Sequence, residues 1–330
     1  MANEFITTAD GNILSNPTTA LTAANFIKEL WSDEVLAVYK ANTVMAPLVQ
    51  SMPFSGQKGD TVHVPKPSRG VRNAKGAGVA VTVNVETAGK FDLVIDQHFE
   101  YSRNIEDIAK IQALDSMRAF YTDDAGYAHA LGVDADLHAE GVNFDAPQAT
   151  ATDVTNTPGY AQSVISTVTT GDLVAWDDTT TGNAVALTDA GIRRMIQYLD
   201  DNNVPARMRQ LVIPPVEKNS LLGLPRFTEQ AFTGEVGSGN SIRNGLIGDL
   251  YGIPVYVSTN CDVLSSASTA NGFRQCLMFQ KEAIVFAEQL APRAQSQYKL
   301  EFLADLFTVD TIYGLGTPRP EAGISVIVPA

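Results

Sequence analysis

Apolar positions recur along this chain with two periods, and the points where one gives way to the other mark its elements. Toward the C-terminus the period is two. Leu277-Met278-Phe279 reads as a short apolar strand, Gln280-Lys281-Glu282-Ala283 as a turn, and Ile284-Val285-Phe286-Ala287 as a second strand. After Pro292, Tyr298-Lys299-Leu300-Glu301-Phe302 alternates apolar with charged residues as a half-buried strand requires, and Leu306 to Tyr313 is rich in β-branched and aromatic residues. Gly314 to Pro320 is a turn that no helix survives, and Ile324-Ser325-Val326-Ile327-Val328 is a last strand. A terminal core strand is complete only when it docks on segments far back in sequence. The block therefore reads as the closing half of a sheet that the N-terminal half begins.

Upstream the period lengthens. Residues 1–20 are polar and turn-rich and read as a flexible arm. From Thr22, a plausible N-cap, Phe26, Ile27, Leu30 and Trp31 fall at helical spacing, and Val35, Val38 and Tyr39 continue it until Pro47 and Pro53. The exposed side of this helix carries Lys28, Glu29, Asp33 and Glu34, which suits a core helix better than a membrane-surface one. Residues 56–97 read as a long hairpin: Thr61-Val62-His63-Val64, a loop with Gly70, Gly76 and Gly78, the alternating stretch Val79 to Val85, then Phe91 to Ile95. A two-stranded ribbon of this length cannot bury its own apolar face and must lie on something else. Ile105, Ile108, Ile111, Leu114, Met117, Tyr121, Ala125, Ala128 and Leu131 then predict one long helix to about Glu140, with Ile108, Leu114, Met117 and Tyr121 expected to be covered by Ile324, Val326 and Val328.

Residues 141–187 read as loops and short strands. Thr188-Asp189 caps a helix through Ile192, Met195, Ile196 and Leu199, which Asn202-Asn203 stops. The strand Leu211-Val212-Ile213, a short helix reaching Leu221-Leu222, a glycine-rich loop from Gly234 to Gly245 and the strand Ile253 to Val257 complete a compact α/β pattern.

Composition narrows the function. A chain of 330 residues exceeds what one core usually organises, so two or three lobes are expected. Charged residues make up 18%, below the roughly one quarter typical of soluble domains, which suits a surface largely covered by neighbours. The net charge of −14 argues against a nucleic-acid-binding function, which needs a basic face. Met1-Ala2-Asn3-Glu4 lacks a basic-then-apolar signal and no apolar run approaches eighteen residues, so the chain is expected to be made and kept in the cytosol until something releases it. Cys261 and Cys276 are expected to be free buried thiols.

Candidate chemistry is sparse. His63, His98, His129 and His138 match no zinc spacing. Gly234, Gly237 and Gly239 complete neither a dinucleotide fingerprint nor a phosphate loop. Asp134-Ala135-Asp136 begins like a calcium loop, but Ala139 stands where the loop needs glycine. No Gly-x-Ser-x-Gly elbow occurs. No catalytic, cofactor or metal residues are expected, and hence no enzyme.

The order Lys281-Glu282-Ala283, Phe302-Leu303-Ala304-Asp305, Tyr313-Gly314 and Arg319-Pro320-Glu321-Ala322 before a last strand resembles the C-terminus of tailed-bacteriophage major capsid proteins, which share the Hong Kong 97-like fold. The Arg-Pro-Glu-Ala ending is similar to that of coat proteins from short-tailed podoviruses. The resemblance covers about residues 22–330 and is weakest over 141–187. It implies an α+β chain with an N-terminal arm and amphipathic helix (1–55), an extended β-hairpin loop (56–98), a peripheral domain with a spine helix on an antiparallel sheet (99–145), an axial α/β domain (146–274) and return strands of the peripheral domain (275–330). It further implies self-assembly as hexamers and pentamers into an icosahedral head enclosing double-stranded DNA, in the virion after assembly in the host bacterial cytoplasm. A scaffolding protein, a portal and a decoration protein are the implied partners, with no membrane. An encapsulin-like shell around a cargo enzyme is the alternative, and an unrelated soluble enzyme or binding module a third class.

On that resemblance the hairpin lies over a neighbouring subunit. Lys66, Arg69, Arg72 and Lys75 put four cations within ten residues of an otherwise acidic chain, and the long helix carries Glu106, Asp107, Asp115, Asp123, Asp124, Asp134, Asp136 and Glu140 against only Lys110 and Arg118. The ordinary reading of each set is a solvated surface; in a shell, the basic run is expected to pair with some of Glu106, Asp107, Asp115, Asp123 and Asp124 across subunits. Gly234, Gly237 and Gly239 are expected to lie in a mobile loop near a capsomer axis. No covalent crosslink is expected: Lys66, Lys75 and Lys90 are available, but nothing marks an activating carboxylate.

Overall fold

The computed structural model describes residues 43–54, 59–67, 70–85, 88–107, 116–145, 164–166, 173–175, 184–224, 248–261, 263–264 and 272–329. The helix expected over 22–39, Arg69, Asp115, Ile108, Leu114 and the loop with Gly234, Gly237 and Gly239 lie outside them.

Two sheets carry the fold. In the first, of four strands, β12 (Val285–Lys299) and β13 (Ala304–Gly316) form a long antiparallel hairpin. β4 (Gln97–Glu106) runs antiparallel to β13 from Gln97 opposite Tyr313 to Glu106 opposite Ala304, and β1 (Gln50–Pro53) pairs parallel with the start of β12. The C-terminal half of the chain thus closes a sheet begun near residue 50, as the alternation implies. Tyr298 to Phe302 is not a separate strand, however. β12 runs on through Pro292 with register shifts near Leu290 and ends at Lys299, and residues 300–303 are the hairpin turn. Leu300, Phe302 and Leu303 stand exposed there, so the period of two reflects no buried side.

The larger sheet has the order β6-β5-β14-β11-β7-β9-β8, from Leu173–Ala175, Val164–Ser166, Gly323–Pro329, Phe273–Gln280, Arg209–Ile213, Ile253–Val257 and Asp249–Leu250 respectively, with β10 (Val263–Leu264) beside the start of β11. β7 is buried along its whole length, as is nearly all of β14, the polar Arg209, Gln210 and Ser325 included. Helix α2 (Asp189–Asp201) begins where expected: the Thr188 hydroxyl accepts the Gly191 N–H at 3.1 Å, and Ile192, Met195 and Leu199 are fully buried. Pro215 opens the short helix α3 (Pro215–Leu222), where its missing N–H costs nothing. Cys261 and Cys276 are both buried free thiols in this core, and burial pushes the Cys276 thiol well up.

The long helix α1 spans Ser116–Ala139 and passes through Gly126 and Gly132 unbroken. Ile105 belongs to β4 rather than to the helix, because its spacing to later apolar residues fits both periods and the ladder with Asp305 decides. Ile324, Val326 and Val328 do not belong to the four-stranded sheet on which Ala125 of α1 packs. They stand beside Cys276 and Met278 in the larger sheet and share a core with Ile192, Met195 and Leu199. The C-terminal end of α1 and the following 3-10 turn (Glu140–Asn143) lie over the opposite side of that sheet. There a Cβ at Gly141 would sit 2.3 Å from Leu277 Cδ2, and one at Gly323 2.5 Å from the Phe144 ring. The segment 275–330 therefore feeds both sheets.

Candidate assembly surface

The hairpin rises from a firmly packed base. β2 (Thr61–Pro67) and β3 (Ala88–Val94) pair antiparallel from Thr61 opposite Val94 to Pro67 opposite Ala88. Leu93 and Ile95 are buried against Phe54, Val285 and Ala287. Gly314 makes this approach possible, since a Cβ there would stand 2.5 Å from the Val94 carbonyl oxygen. Lys66 reaches back to its own chain, donating to the Pro318 carbonyl at 3.4 Å and lying 4.0 Å from Glu321.

Beyond the ladder the ribbon is bare. Residues 79–85, expected as a strand, form no ladder among the described residues. Val79, Val81, Val83 and Val85 are 61 to 89% exposed. The two legs are tied by side chains instead: Asn73 donates to the Asn84 side-chain oxygen at 2.7 Å, and Asn84 donates to the Val71 carbonyl. Arg72 and Lys75 are exposed on this tip, and among the described residues no carboxylate of the chain lies within salt-bridge distance of either.

The acidic residues do not share one helix face. Glu106 closes β4, and Asp107 accepts the Tyr298 hydroxyl at 2.7 Å beside the β12–β13 turn. Asp123 is exposed on α1, while Asp124 accepts the Tyr101 hydroxyl at 2.9 Å. Three more bind groups of their own chain, two of them half-buried and one fully buried. Asp136 accepts the Tyr313 hydroxyl, and Glu140 that of Thr317 at 2.9 Å. Asp134, only 1% exposed, accepts the backbone N–H groups of Val44 and Met45 and the Asn260 amide, each at 2.8 Å. It joins three distant segments at one point, with His138 3.8 Å away. Sequence placed Asp134 on a solvated face; its helical position carries no signal that its partners would be backbone.

Between β4 and α1 runs a groove of about 260 Å³ lined by Phe99, Tyr101, Ala128, Gly132, Ala135 and Tyr313 among others. Its floor is fixed by Ala125 packing on Phe307, Val309 and Tyr101, and by His129 Nε2, 3.1 Å from the Val309 carbonyl. Arg103 lies over the Tyr101 and Tyr121 rings at 5.5 and 5.6 Å, at the acidic end with Asp124. Across the neighbouring hairpin, Arg293 grips Asp310 with two bonds of 3.2 and 2.8 Å, which holds that carboxyl below its usual range. Among the described residues no group of three or more His, Cys, Asp or Glu is placed to hold a metal, and no helix is long and apolar enough to cross a membrane.

No protein-family model and no curated protein sequence matches the chain. Solved structures do. One from Mycobacterium phage Che8 is 24% identical with a TM-score of 0.67, covering 92% of this chain and 97% of its own. A capsid structure of the cyanophage P-SCSP1u is 18% identical with a TM-score of 0.72, covering 98% of both chains. The capsid of Ralstonia phage GP4 is 17% identical with a TM-score of 0.62, covering 92% of this chain and 95% of its own. The chain has the α+β fold of phage capsid subunits of the Hong Kong 97-like type, over nearly its whole length.

Proposed function

We propose that this chain is the major capsid protein of a tailed bacteriophage, assembling as hexamers and pentamers into an icosahedral head that encloses double-stranded DNA, and residing in the virion. The observation that carries this is the bare hairpin. A chain that folds along nearly its whole length like phage capsid subunits leaves a ribbon with four exposed valines and two cations that none of the described residues covers. An apolar strand without a partner is stable in water only where a neighbour completes it. In this reading α1 on the four-stranded sheet is the peripheral lobe, and the larger sheet with α2 and α3 is the axial lobe. The loop holding Gly234, Gly237 and Gly239 surrounds the capsomer axis.

Hairpin cations reaching a neighbour's acids hold the contact in register. Arg72 and Lys75, with Arg69, are the cations available; Lys66 is already engaged with its own Pro318 and Glu321. Asp123 and Asp124 on α1, with Glu106, Asp107 and Asp115, are the acids offered. Each exposed pair contributes only about 0–1 kcal/mol, so repetition around the shell supplies the effect. A scaffolding protein, a portal and a decoration protein complete the particle, and DNA is enclosed without sequence-specific binding.

Electron microscopy of the purified full chain, with nuclease digestion of any contents, tests this. Closed particles, loosened in about 1 M salt where the Debye length falls to roughly 3 Å, are the expected result. A chain that stays monomeric at every concentration refutes the proposal, and a protein-filled closed shell without DNA or portal supports the encapsulin-like alternative instead.

A further inference from the structure

We infer that Cys261 and Cys276 are the two halves of a latent disulfide, closed within one chain by a peroxide, that clamps the segment following β9 onto β11 without rearranging the fold. The bridge belongs to the single subunit and does not depend on the shell reading above.

The ladders bring the two thiols together. β7 pairs with β11 only as far as Val212 opposite Leu277, which leaves the edge of β11 at Cys276 to another segment. β10 takes that edge, running antiparallel with Val263 opposite Arg274 and Leu264 opposite Phe273. Carried back by two residues, the same register brings Cys261 to the level of Cys276. The approach is fixed at its start, because the Ser258 N–H donates to the Ile213 carbonyl at 3.0 Å where β7 ends. The side is fixed as well. Arg274 and Cys276, two residues apart, share one side of β11, and the Arg274 guanidinium donates to the Cys261 carbonyl at 3.0 Å. Both cysteines lie in one core cluster, 1% and 0% exposed. Opposed residues of an antiparallel pair have Cα atoms about 4.5–5.5 Å apart, inside the roughly 4.4–6.8 Å that a disulfide spans.

The chemistry is a two-electron oxidation. Each sulfur gives up its hydrogen and an S–S bond forms, while the O–O bond of the peroxide breaks and takes up the protons and electrons as two waters. Burial first, then the Cys261 thiol and the Glu217 carboxyl, push the Cys276 thiol well up, which keeps the pair reduced until an oxidant is in excess. The closed bridge makes a ring of about 15 residues, enough to make unfolding roughly a hundredfold less favourable. On the shell reading, subunits assemble with reduced thiols and gain the bridge once the particle is outside the cell.

The test treats the folded full chain with excess hydrogen peroxide, blocks remaining thiols with an alkylating agent in denaturant, and digests with trypsin. Cleavage after Arg274 separates the two cysteines, so a disulfide-linked pair of tryptic peptides reports the bridge. We expect that pair from chains that run as monomers on a non-reducing denaturing gel, with the urea unfolding equilibrium of the bridged chain shifted about a hundredfold toward the folded state. Cys261→Ser should show neither the linked peptides nor the shift. Wild-type thiols that stay fully alkylatable, links found only between copies, or a bridged chain less stable than the reduced one each overturn the inference. Particles whose cysteines never link leave the shell reading standing, and a chain that links but never assembles overturns that reading alone.

Discussion

Replacing Asp134 with alanine should uncouple the Val44–Met45 segment from α1. The carboxyl accepts three hydrogen bonds of 2.8 Å, two from the backbone N–H groups of Val44 and Met45 and one from the Asn260 amide. Val44 and Met45 are 7% and 0% exposed, so no water replaces the lost acceptor, whereas the part-buried Asn260 amide can turn to other partners. A buried donor left without a partner costs about 1–3 kcal/mol, so two give roughly 2–6 kcal/mol, lowered by release of the carboxyl from its own desolvation. We expect a loss of about 2–4 kcal/mol in urea unfolding of the subunit, and fast exchange of the Val44 and Met45 amides. Asp134→Asn keeps one oxygen for the two N–H groups and should lose about half as much. An alanine variant within about 0.5 kcal/mol of wild type, with those amides still protected, would refute the claim that this carboxyl is a structural joint.

Other substitutions probe the packing around the hairpin and core. Gly314→Ala places a Cβ 2.5 Å from the Val94 carbonyl, a backbone atom that cannot step aside, and should cost about 1–3 kcal/mol in thermal unfolding; no change would mean that the base of the hairpin is loosely held. Burial pushes the Glu217 carboxyl above its ordinary 4.5, partly opposed by the hydrogen bond from the Leu187 N–H. The folded chain therefore holds that proton more tightly than the unfolded chain, and this group's share of stability falls as pH rises from the ordinary value through the raised one. Glu217→Gln should flatten stability over that window, and a pH profile parallel to wild type counts against it. Deleting Ile324 to Ala330 removes β14 from between β5 and β11 and should abolish soluble folded subunit; truncated chains that still assemble would show the strand to be dispensable.

Much of the larger sheet was legible because its rules are local. Thr188 announces α2, Asn202-Asn203 ends it, and β7, β9 and β14 are apolar runs bounded by proline or glycine. What sequence misassigned was set by partners. Val79 to Val85 alternates as well as any strand here, yet alternation specifies a side and not the neighbour that must complete the ladder. Tyr298 to Phe302 alternates at an exposed turn, and Ile105 fits helical spacing while pairing with β13. The acidic residues from Glu106 to Glu140 look alike in sequence, but Asp134 is a buried acceptor, Asp136 and Glu140 bind hydroxyls, and Asp123 faces solvent. Their roles depend on what folds over them.

The central claim is that the bare hairpin is half of a contact between copies, and a cryo-electron microscopy reconstruction of particles assembled from the full chain tests it most directly. The account predicts closed shells with fivefold and sixfold capsomers in which density for residues 70–85 of each subunit lies on the β4 and α1 surface of its neighbour. Shells in which residues 70–85 fold back on their own subunit or project into solvent, or a chain that forms no shell, would contradict it.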